Sequence, residues 1–355
     1  MKKFLALLLA LTMALALVAC GGGSDSGDTG AGTTGGDSES GFEPMTWKFA
    51  CSATETSPWV DGAKEFARIV GEKTGGAITV QYYPADQLTA GSQTDGIQAL
   101  MDGTTELSMH SNLIWSSFDQ RFNVVSLPFL FDSTEEADAA LDGAGGQALG
   151  EILENEYNVH LLGIAENGFR HITNSKHAVT SLADMENLKI RVAGSQLLNR
   201  AYELWGADYT NANWSEVFTA LQTGTYDGQE NPLPTADAAS IQEVQSYLTY
   251  WTGAYDCLFF CMNAELYNSL SPELQTIVDE AGQEACVYER ELNRSQDQEI
   301  MDKWAEAGVK VTELSADAAA EFAEASAPVY DEFADELTPE LIEAFTSVTQ
   351  ADNAA

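Results

Sequence analysis

Apolar and polar residues alternate in several short runs of this chain, and between those runs apolar residues recur at helical spacing. The pattern predicts strands at residues 47–50, 78–82 and 107–111, separated by helices that begin after Ser57 and near Ser92. Strands that alternate with helices in this way are typical of a mostly parallel sheet with helices on its faces. The first part of the chain is therefore predicted to form an α/β lobe.

The composition becomes polar between Glu166 and Leu188, and we expect the chain to cross into a second lobe there. A predicted strand at residues 255–262 returns to the first lobe. Two crossings provide two hinge strands, which allow the lobes to close about a cleft. The predicted fold class is α/β, with two lobes built on two mixed sheets flanked by helices. The predicted division assigns residues 42–166 and 255–270 to lobe I, residues 167–254 and 309–349 to lobe II, and residues 271–308 to a long helix spanning both lobes.

Ser271, Pro272 and Glu273 form a strong helix start, with a capping hydroxyl, a proline in the first turn and an acidic residue beside it. At about 1.5 Å per residue, a helix that continued to Gly308 would exceed about 50 Å, which is longer than one small lobe. A last strand is predicted at 309–314. The remainder is predicted to be helical, with breaks near Pro328 and at Thr338-Pro339.

One arginine stands out in the predicted second lobe. Residues 188–192 alternate as a short strand, so Arg191 points to the face opposite Ile190 and Val192. Amphipathic segments follow at 195–205 and 215–222. A buried guanidinium without an anion costs free energy, and its planar fork matches a carboxylate with two parallel hydrogen bonds. The expected ligand is a small organic acid.

The charge of the chain narrows the classes of partner. There are 16 basic and 55 acidic residues in 355, which give a formal net charge of −39, and 45% of the residues are hydrophobic. Such a field repels nucleic acid and anionic lipid, so nucleic-acid binding is excluded. Exposed charges more than about 10 Å apart are largely screened at about 0.1 M salt, so a local arginine can still attract a carboxylate.

The N-terminus carries a targeting pattern. Lys2 and Lys3 precede an apolar run at 4–18, which ends in Leu-Val-Ala-Cys-Gly with the cysteine at Cys20. This resembles a bacterial lipobox, so residues 1–20 are predicted to be a lipoprotein signal peptide with Cys20 lipidated; a plain signal peptide is the alternative. Residues 21–41 are predicted to be a flexible Gly/Ser/Asp linker that reaches about 25 Å. The expected location is extracytoplasmic, anchored by lipid to the outer face of the cell membrane.

Four more cysteines follow, Cys51, Cys257, Cys261 and Cys286. If residues 255–262 form a strand, the Cα atoms of Cys257 and Cys261 lie about 13 Å apart, beyond the roughly 7 Å limit for a disulfide. Those two cannot bridge each other. Buried free thiols are expected, and pairing with Cys51 or Cys286 stays open.

Motifs of catalysis are missing from the sequence. The four histidines lack metal-ligand spacing, and there is no nucleophile elbow or phosphate loop. We therefore predict no cofactor and no enzymatic activity.

Several blocks of sequence together resemble one transport family. They are Gly168-Phe169-Arg170, residues 173–176 and 188–192, Gly206-Ala207, residues 216–224, and Asp227 to Pro232, with weaker echoes at 83–84, 127–131 and 281–290. Their order and spacing are similar to those of the DctP-type solute-binding proteins of TRAP transporters. The likeness extends over nearly all of residues 45–314.

That resemblance implies a periplasmic-binding-protein-like receptor that closes on an organic acid, a C4-dicarboxylate or a sugar acid, and delivers it to the small and large membrane subunits of an ion-driven permease. It implies that Arg191 pairs with the ligand carboxylate, Arg170 supports it, Asn231 hydrogen-bonds nearby and Trp214 lines the cleft. Gln98 stands where the family commonly has an acid at the distal end of the ligand. We expect a monomer.

Two other functions stay open from the sequence alone. One is an ABC-type or sensor-linked receptor of similar architecture, which gene neighbours would distinguish. The other is an extracellular enzyme acting on sugar acids, which chemical turnover of a bound ligand would reveal.

Overall fold

The computed structural model describes residues 41–352, and all of them belong to one compact unit. The predicted signal peptide at 1–20, the lipidated Cys20 and nearly all of the predicted linker at 21–41 lie outside the described residues. In the described part, no helix is long and apolar enough to cross a membrane.

Two mixed sheets form the centres of the two lobes, which confirms the predicted fold class, whereas the hydrophobic pattern alone indicated a mostly parallel sheet in the first lobe. The lobe I sheet has five strands in the order β2-β1-β3-β10-β4, and the lobe II sheet has six in the order β11-β9-β5-β8-β6-β7. The strands are β1 (Met45–Cys51), β2 (Ile78–Tyr83), β3 (Leu107–Ser111), β4 (Val159–Phe169), β5 (His171–Asn174), β6 (Lys189–Val192), β7 (Asp208–Asn211), β8 (Gly228–Asn231), β9 (Tyr247–Tyr250), β10 (Tyr255–Asn263) and β11 (Lys310–Glu313).

Parallel and antiparallel pairs combine in each sheet. In lobe I, β1 is parallel to β2 and β3, while β10 runs antiparallel to both β3 and β4. In lobe II, β6 is parallel to β7 and β8, β5 is antiparallel to β8 and β9, and β11 is parallel to β9. The insertion of β10 beside β3 makes the first sheet mixed, and it returns the chain from lobe II.

Helices cover the faces of both sheets. They are α1 (Pro58–Lys73), α2 (Gln93–Met101), α3 (Asn112–Trp115), α4 (Thr134–Leu141), α5 (Ala144–Tyr157), α6 (Gln196–Leu204), α7 (Trp214–Gln222), α8 (Leu233–Ala238), α9 (Ala264–Ser269), α10 (Pro272–Ser295), α11 (Asp297–Glu306), α12 (Ala316–Glu332), α13 (Ala334–Leu337) and α14 (Pro339–Asp352). Apolar residues buried between these helices and the sheets form the cores.

The chain crosses between the two sheets at two places. Arg170 stands between β4 of lobe I and β5 of lobe II, and residues 251–254 join β9 to β10. The predicted long helix at 271–308 is two helices, because α10 ends at Ser295 and α11 begins at Asp297. The first packs on α1 and β4, whereas the second contacts α8 and β11, so the pair spans both lobes.

Two expectations for the C-terminal segment differ from the structure. Helix α12 continues through Pro328 to Glu332. Pro328 and Glu324, whose carbonyl loses its helical donor, are both exposed, so water can take the place of the missing bond. The predicted division assigns all of 309–349 to lobe II, but α14 packs against α4 and α5 of lobe I. The helix break at Thr338-Pro339 is observed as predicted.

The four cysteines of the described part are free and buried. Cys257 and Cys261 lie in β10, where the strand geometry keeps them apart, and the pairings with Cys51 or Cys286 that the sequence left open are not formed. Burial raises the pKa of each thiol, so these groups pack as small apolar side chains.

Candidate functional site

A cavity lies between the two lobes and, together with its opening to solvent, comprises about 340 Å³ of empty space. We call it the interlobe cavity. Lobe I contributes side chains from the end of β1, the starts of α1, α2 and α3, and strands β4 and β10, while lobe II contributes β6, the start of α7, and β8 with the helix that follows it. The lining residues are Ser52, Ala53, Trp59, Gln93, Ser111, Ile114, Asn167, Arg170, Arg191, Ala193, Trp214, Asn231, Thr235 and Asp256.

Arg191 is buried at this cavity without a carboxylate partner. Its side chain is 2% exposed, because β6 lies inside the lobe II sheet between β7 and β8. Nε and Nη2 donate to the carbonyl oxygen of Ala212 at 3.0 and 2.6 Å, and the guanidinium carbon lies 5.6 Å from the centroid of the Trp214 ring. No carboxylate oxygen of the described residues lies within 4.0 Å of its nitrogens.

The charge on Arg191 is costly in this place. Burial lowers the pKa of Arg191 to about 10, although the more distant Glu230 carboxylate acts in the opposite direction and Arg170 adds to the lowering. The guanidinium remains protonated at neutral pH. A buried cation without a counter-ion is costly, so an anion bound beside Arg191 would relieve part of that cost.

Arg170 has the opposite arrangement. Its Nε donates to Glu230 and its Nη1 to Asp256, while Nη2 reaches the backbone and carboxylate oxygens of Glu230 at 2.8 and 3.0 Å. Burial opposes its charge, but the two carboxylates prevail and raise the pKa of Arg170 above its ordinary value. This arginine is therefore fully engaged within the protein, where it joins the crossing between the lobes to β8 and β10.

The two carboxylates that hold Arg170 are also anchored elsewhere. Glu230 accepts from the backbone N–H of Ala193 at 2.8 Å, and Asp256 accepts from Ser111 Oγ and from Asn167 Nδ2, both at 2.7 Å. Burial raises the pKa of Asp256. Both acids are committed to internal partners, and Asp256 adds a negative group to the cavity wall.

Four of the five ligand-site residues predicted from the sequence line the interlobe cavity: Arg191, Arg170, Asn231 and Trp214. Asn231 ends β8 and its Nδ2 donates to Gln229 Oε1 at 2.9 Å. Trp214 is the first residue of α7, and its ring lies beside the Arg191 guanidinium. The order of the chain had separated these side chains by as many as 61 positions, and the lobe II sheet brings them together.

Gln98 is the exception among the predicted site residues. It lies on an exposed face of α2, where its Nε2 donates to Asp102 Oδ1 at 2.9 Å one helical turn later, and it does not line the cavity. Gln93, at the start of the same helix, lies at the cavity instead. A helix turns about 100° per residue, so a shift of five positions decides which residue faces the cleft.

Sequence reasoning missed several of the lining residues. Ser52 and Trp59 follow β1 and begin α1, and the apolar pattern indicated Trp59 only as a core residue. Asp256 could not be distinguished from the other acidic residues of the chain. A usable signal existed for Ser52, since it directly follows a buried strand, at the edge of an α/β sheet where ligands commonly bind.

The cavity is closed by hydrogen bonds between the lobes. Trp214 N donates to Gln93 Oε1 at 3.2 Å, Ser215 Oγ donates to the Gly91 carbonyl oxygen at 3.2 Å, and Thr54 Oγ1 donates to the Ala238 carbonyl oxygen at 3.2 Å. A site that excludes water strengthens the interaction between a guanidinium and a bound anion. The geometry supports capture of a small anion between two lobes.

Two lobes joined by crossing strands, with a buried and unpaired cation in the cleft between them, define a solute receptor. The chain belongs to family 7 of the bacterial extracellular solute-binding proteins, the DctP family, whose model matches residues 49–337. This confirms the two-lobed α/β fold and the resemblance found from sequence motifs, and it gives an extracytoplasmic receptor as the class of protein.

Three similar proteins indicate the range of the family. The 2,3-diketo-L-gulonate-binding periplasmic protein YiaO of Escherichia coli is 32% identical over 282 residues, 79% of this chain and 85% of that protein. The C4-dicarboxylate-binding periplasmic protein DctP of Rhodobacter capsulatus is 28% identical over 277 residues, 78% and 82% of the two chains. The structure of a TRAP periplasmic solute-binding protein from Sulfitobacter sp. NAS-14.1 with bound β-D-galacturonate superposes with a TM-score of 0.80 at 31% identity, over 85% of this chain and 99% of that one.

Proposed function

We propose that this protein captures an organic acid outside the cell by pairing the ligand carboxylate with Arg191, and delivers it to the membrane subunits of a TRAP transporter. One observation carries the proposal: Arg191 is buried at the interlobe cavity with a backbone carbonyl and an aromatic ring as its neighbours, and with no carboxylate of the described residues within reach. An incoming carboxylate supplies the missing counter-charge and accepts two hydrogen bonds.

Three other residues support the carboxylate site. Arg170 holds β8 and β10 together through Glu230 and Asp256, so its role is to position the cavity wall rather than to contact the ligand charge. Asn231 presents an amide at the end of β8, on the wall of the cavity. Trp214 lies beside the guanidinium at the start of α7. Gln98 has no part in the proposed site, since its side chain is engaged on the outside of α2.

The N-terminal sequence and the family support a proposal for the biological setting. We propose that the protein is a monomer held at the outer face of the cell membrane by a lipid on Cys20, and that it releases its ligand unchanged to the small and large permease subunits. The permease subunits are proposed as partners because the chain belongs to this family. Binding requires only a cation in a closed cleft, with no acid-base pair, which suits a receptor that performs no chemical conversion.

A calorimetric comparison tests the proposal. A thermal-shift screen of organic acids on the exported protein identifies a ligand, because a ligand at 100 times its Kd stabilises the folded state by about 2.7 kcal/mol. Titration of that acid into Arg191→Ala should show a loss of about 2 to 5 kcal/mol, or roughly 30- to several-thousand-fold in Kd.

The matched control is Arg200→Ala on α6. Arg200 is a half-buried lobe II arginine that pairs with Glu203 and Glu332 away from the cavity, and its replacement should leave Kd within about twofold. Binding of the acid to Arg191→Ala within threefold of the parent would contradict the proposal. Analysis of the recovered ligand after incubation checks for turnover, and a converted product would favour an enzyme instead.

A further inference from the structure

Two residues that line the interlobe cavity each carry a buried polar side-chain atom with no hydrogen-bond partner in the described part of the chain. Trp59 Nε1 and Ser52 Oγ are both buried, with side chains 3% and 4% exposed. Each residue lines the cavity, on the lobe I side, whereas Arg191 belongs to lobe II. A buried donor without a partner costs about 1 to 3 kcal/mol, so a polar ligand group that bonded to these two atoms would recover that free energy.

The charges along the cavity wall limit what that ligand carries. Arg191 and Arg170 are the only cationic side chains among the described lining residues, and Arg170 is already held by Glu230 and Asp256. One cation is therefore left for one carboxylate. A second carboxylate on the ligand would be buried in the same cavity as Asp256 without a counter-ion, which is costly.

An apolar tail fits the same wall poorly. The indole N–H of Trp59 can only donate, so it needs an oxygen acceptor, while the Ser52 hydroxyl both donates and accepts. A hydrocarbon chain would cover these groups and leave them unpaired. A ligand hydroxyl can accept from Trp59 and donate to Ser52, which satisfies both atoms without adding charge.

From these observations we infer that the ligand is a polyhydroxylated monocarboxylate, with its single carboxylate on Arg191 and its hydroxyls on Trp59 Nε1 and Ser52 Oγ. The inference rests on the proposed function, since it assumes that an organic acid binds at Arg191. It goes further by choosing a hydroxylated acid with one charge over a dicarboxylate or an alkanoate, and by naming the two residues that make the choice.

Pairs of acids that differ at one position test the inference by calorimetry. Threonate and tartrate of matching configuration differ only in the last carbon, as do galactonate and galactarate. In the pair whose chain length the protein binds, the monocarboxylate should bind about 100-fold or more tightly than the dicarboxylate. The second carboxylate would be a buried charge without a counter-ion, which weakens binding of the dicarboxylate. Butanoate should bind at least about 10-fold more weakly than threonate, since it leaves two donors unpaired.

Variants then assign the hydroxyl contacts. Trp59→Phe keeps the ring and removes the N–H, so it should weaken binding of the hydroxylated acid about 2- to 12-fold and leave butanoate unaffected. Trp47→Phe is the matched control, because Trp47 Nε1 is also buried and unpaired but does not line the cavity, and it should change neither affinity. Ser52→Ala, with Ser108→Ala as its control, gives an independent pair if the tryptophan variant does not fold.

The outcomes separate this inference from the proposed function. If a dicarboxylate binds as tightly as its monocarboxylate partner, or if only acids without hydroxyls bind, and Arg191→Ala still abolishes binding, then the receptor function stands and this inference is overturned. The inference is also overturned if Trp59→Phe and Ser52→Ala both leave the affinity for the hydroxylated acid unchanged. If no organic acid binds, the proposed function itself fails.

Discussion

Replacement of each of the two arginines of the interlobe cavity by methionine should change the stability of the ligand-free protein by very different amounts. Arg170→Met removes the partner of two buried carboxylates, since Arg170, Glu230 and Asp256 are 3%, 0% and 0% exposed and joined directly. Breaking a buried ion pair from one side costs about 3 to 5 kcal/mol. The free energy of unfolding should fall by that amount.

Arg191→Met removes a charge that the fold accommodates at a cost. A pKa lowered from 12.5 to about 10 corresponds to about 3 kcal/mol against the charged form. The variant loses the hydrogen bonds to the Ala212 carbonyl oxygen and the contact with Trp214, which are worth a similar amount together. The two effects offset, so stability should change by less than about 1.5 kcal/mol.

Urea unfolding without ligand, followed by tryptophan fluorescence and circular dichroism, measures both variants. Replacing Glu230 and Asp256 by Gln and Asn together with Arg170→Met should recover most of the lost stability, because no buried charge is then left unpaired. The reasoning is refuted if Arg191→Met lowers the free energy of unfolding as much as Arg170→Met does, since the Arg191 charge would then stabilise the ligand-free fold.

Three further predictions follow from other parts of the fold. Burial, and then the Glu166 carboxylate, raise the pKa of Asp297 to about 6, so ionisation of Asp297 lowers the stability of the fold as pH rises from about 4 to 6. In urea titrations, Asp297→Asn should raise the free energy of unfolding by about 1 to 3 kcal/mol at pH 8 and hardly change it at pH 3.5. Gly228→Ala would place a Cβ atom 2.1 Å from the Thr173 carbonyl oxygen, so thermal unfolding should show that the free energy of unfolding falls by more than about 2 kcal/mol. In the control Gly194→Ala, the atom nearest to the new Cβ is 3.9 Å away, so the free energy of unfolding should fall by less than about 1 kcal/mol. Gln93→Ala removes one of the two bonds that close the cavity onto α7, and stopped-flow release of ligand should accelerate about 2- to 12-fold.

Elements with a strong hydrophobic period could be predicted from the sequence. The apolar alternation at 107–111 matches β3 in full, and the capping serine with its proline located the start of α10. The predicted strand around Arg191 is β6, and the side chains of Ile190 and Val192 are buried as expected. These features depend on local periodicity, which is present in the residues themselves.

Strands β5 and β8 could not be predicted in this way. Both are short and rich in polar residues, yet all of their positions are buried, because both strands lie inside the six-stranded sheet. Glu230 and Asn231 lie in β8, where the usual preference for apolar residues is overridden by the ion pair with Arg170 and by the site. Polar strands at a functional site are where propensity arguments are expected to fail.

The residues of the candidate site also fall into two groups, those that the sequence could indicate and those that it could not. Arg191 could be selected because a guanidinium on a predicted strand needs a partner, and the motif resemblance added Arg170, Asn231 and Trp214. Trp59 and Ser52 could not be selected, because their significance lies in hydrogen bonds that the fold leaves unmade, and this becomes visible only when the neighbours of each atom are known.

The position of the ligand carboxylate in a crystal structure of the complex tests the central claim most directly. The account predicts two carboxylate oxygens about 2.7 to 2.9 Å from nitrogens of Arg191, with the ion pairs of Arg170 to Glu230 and Asp256 unchanged. A ligand bound between the lobes whose carboxylate lies away from Arg191, with that guanidinium still bonded only to the Ala212 carbonyl oxygen, would contradict it.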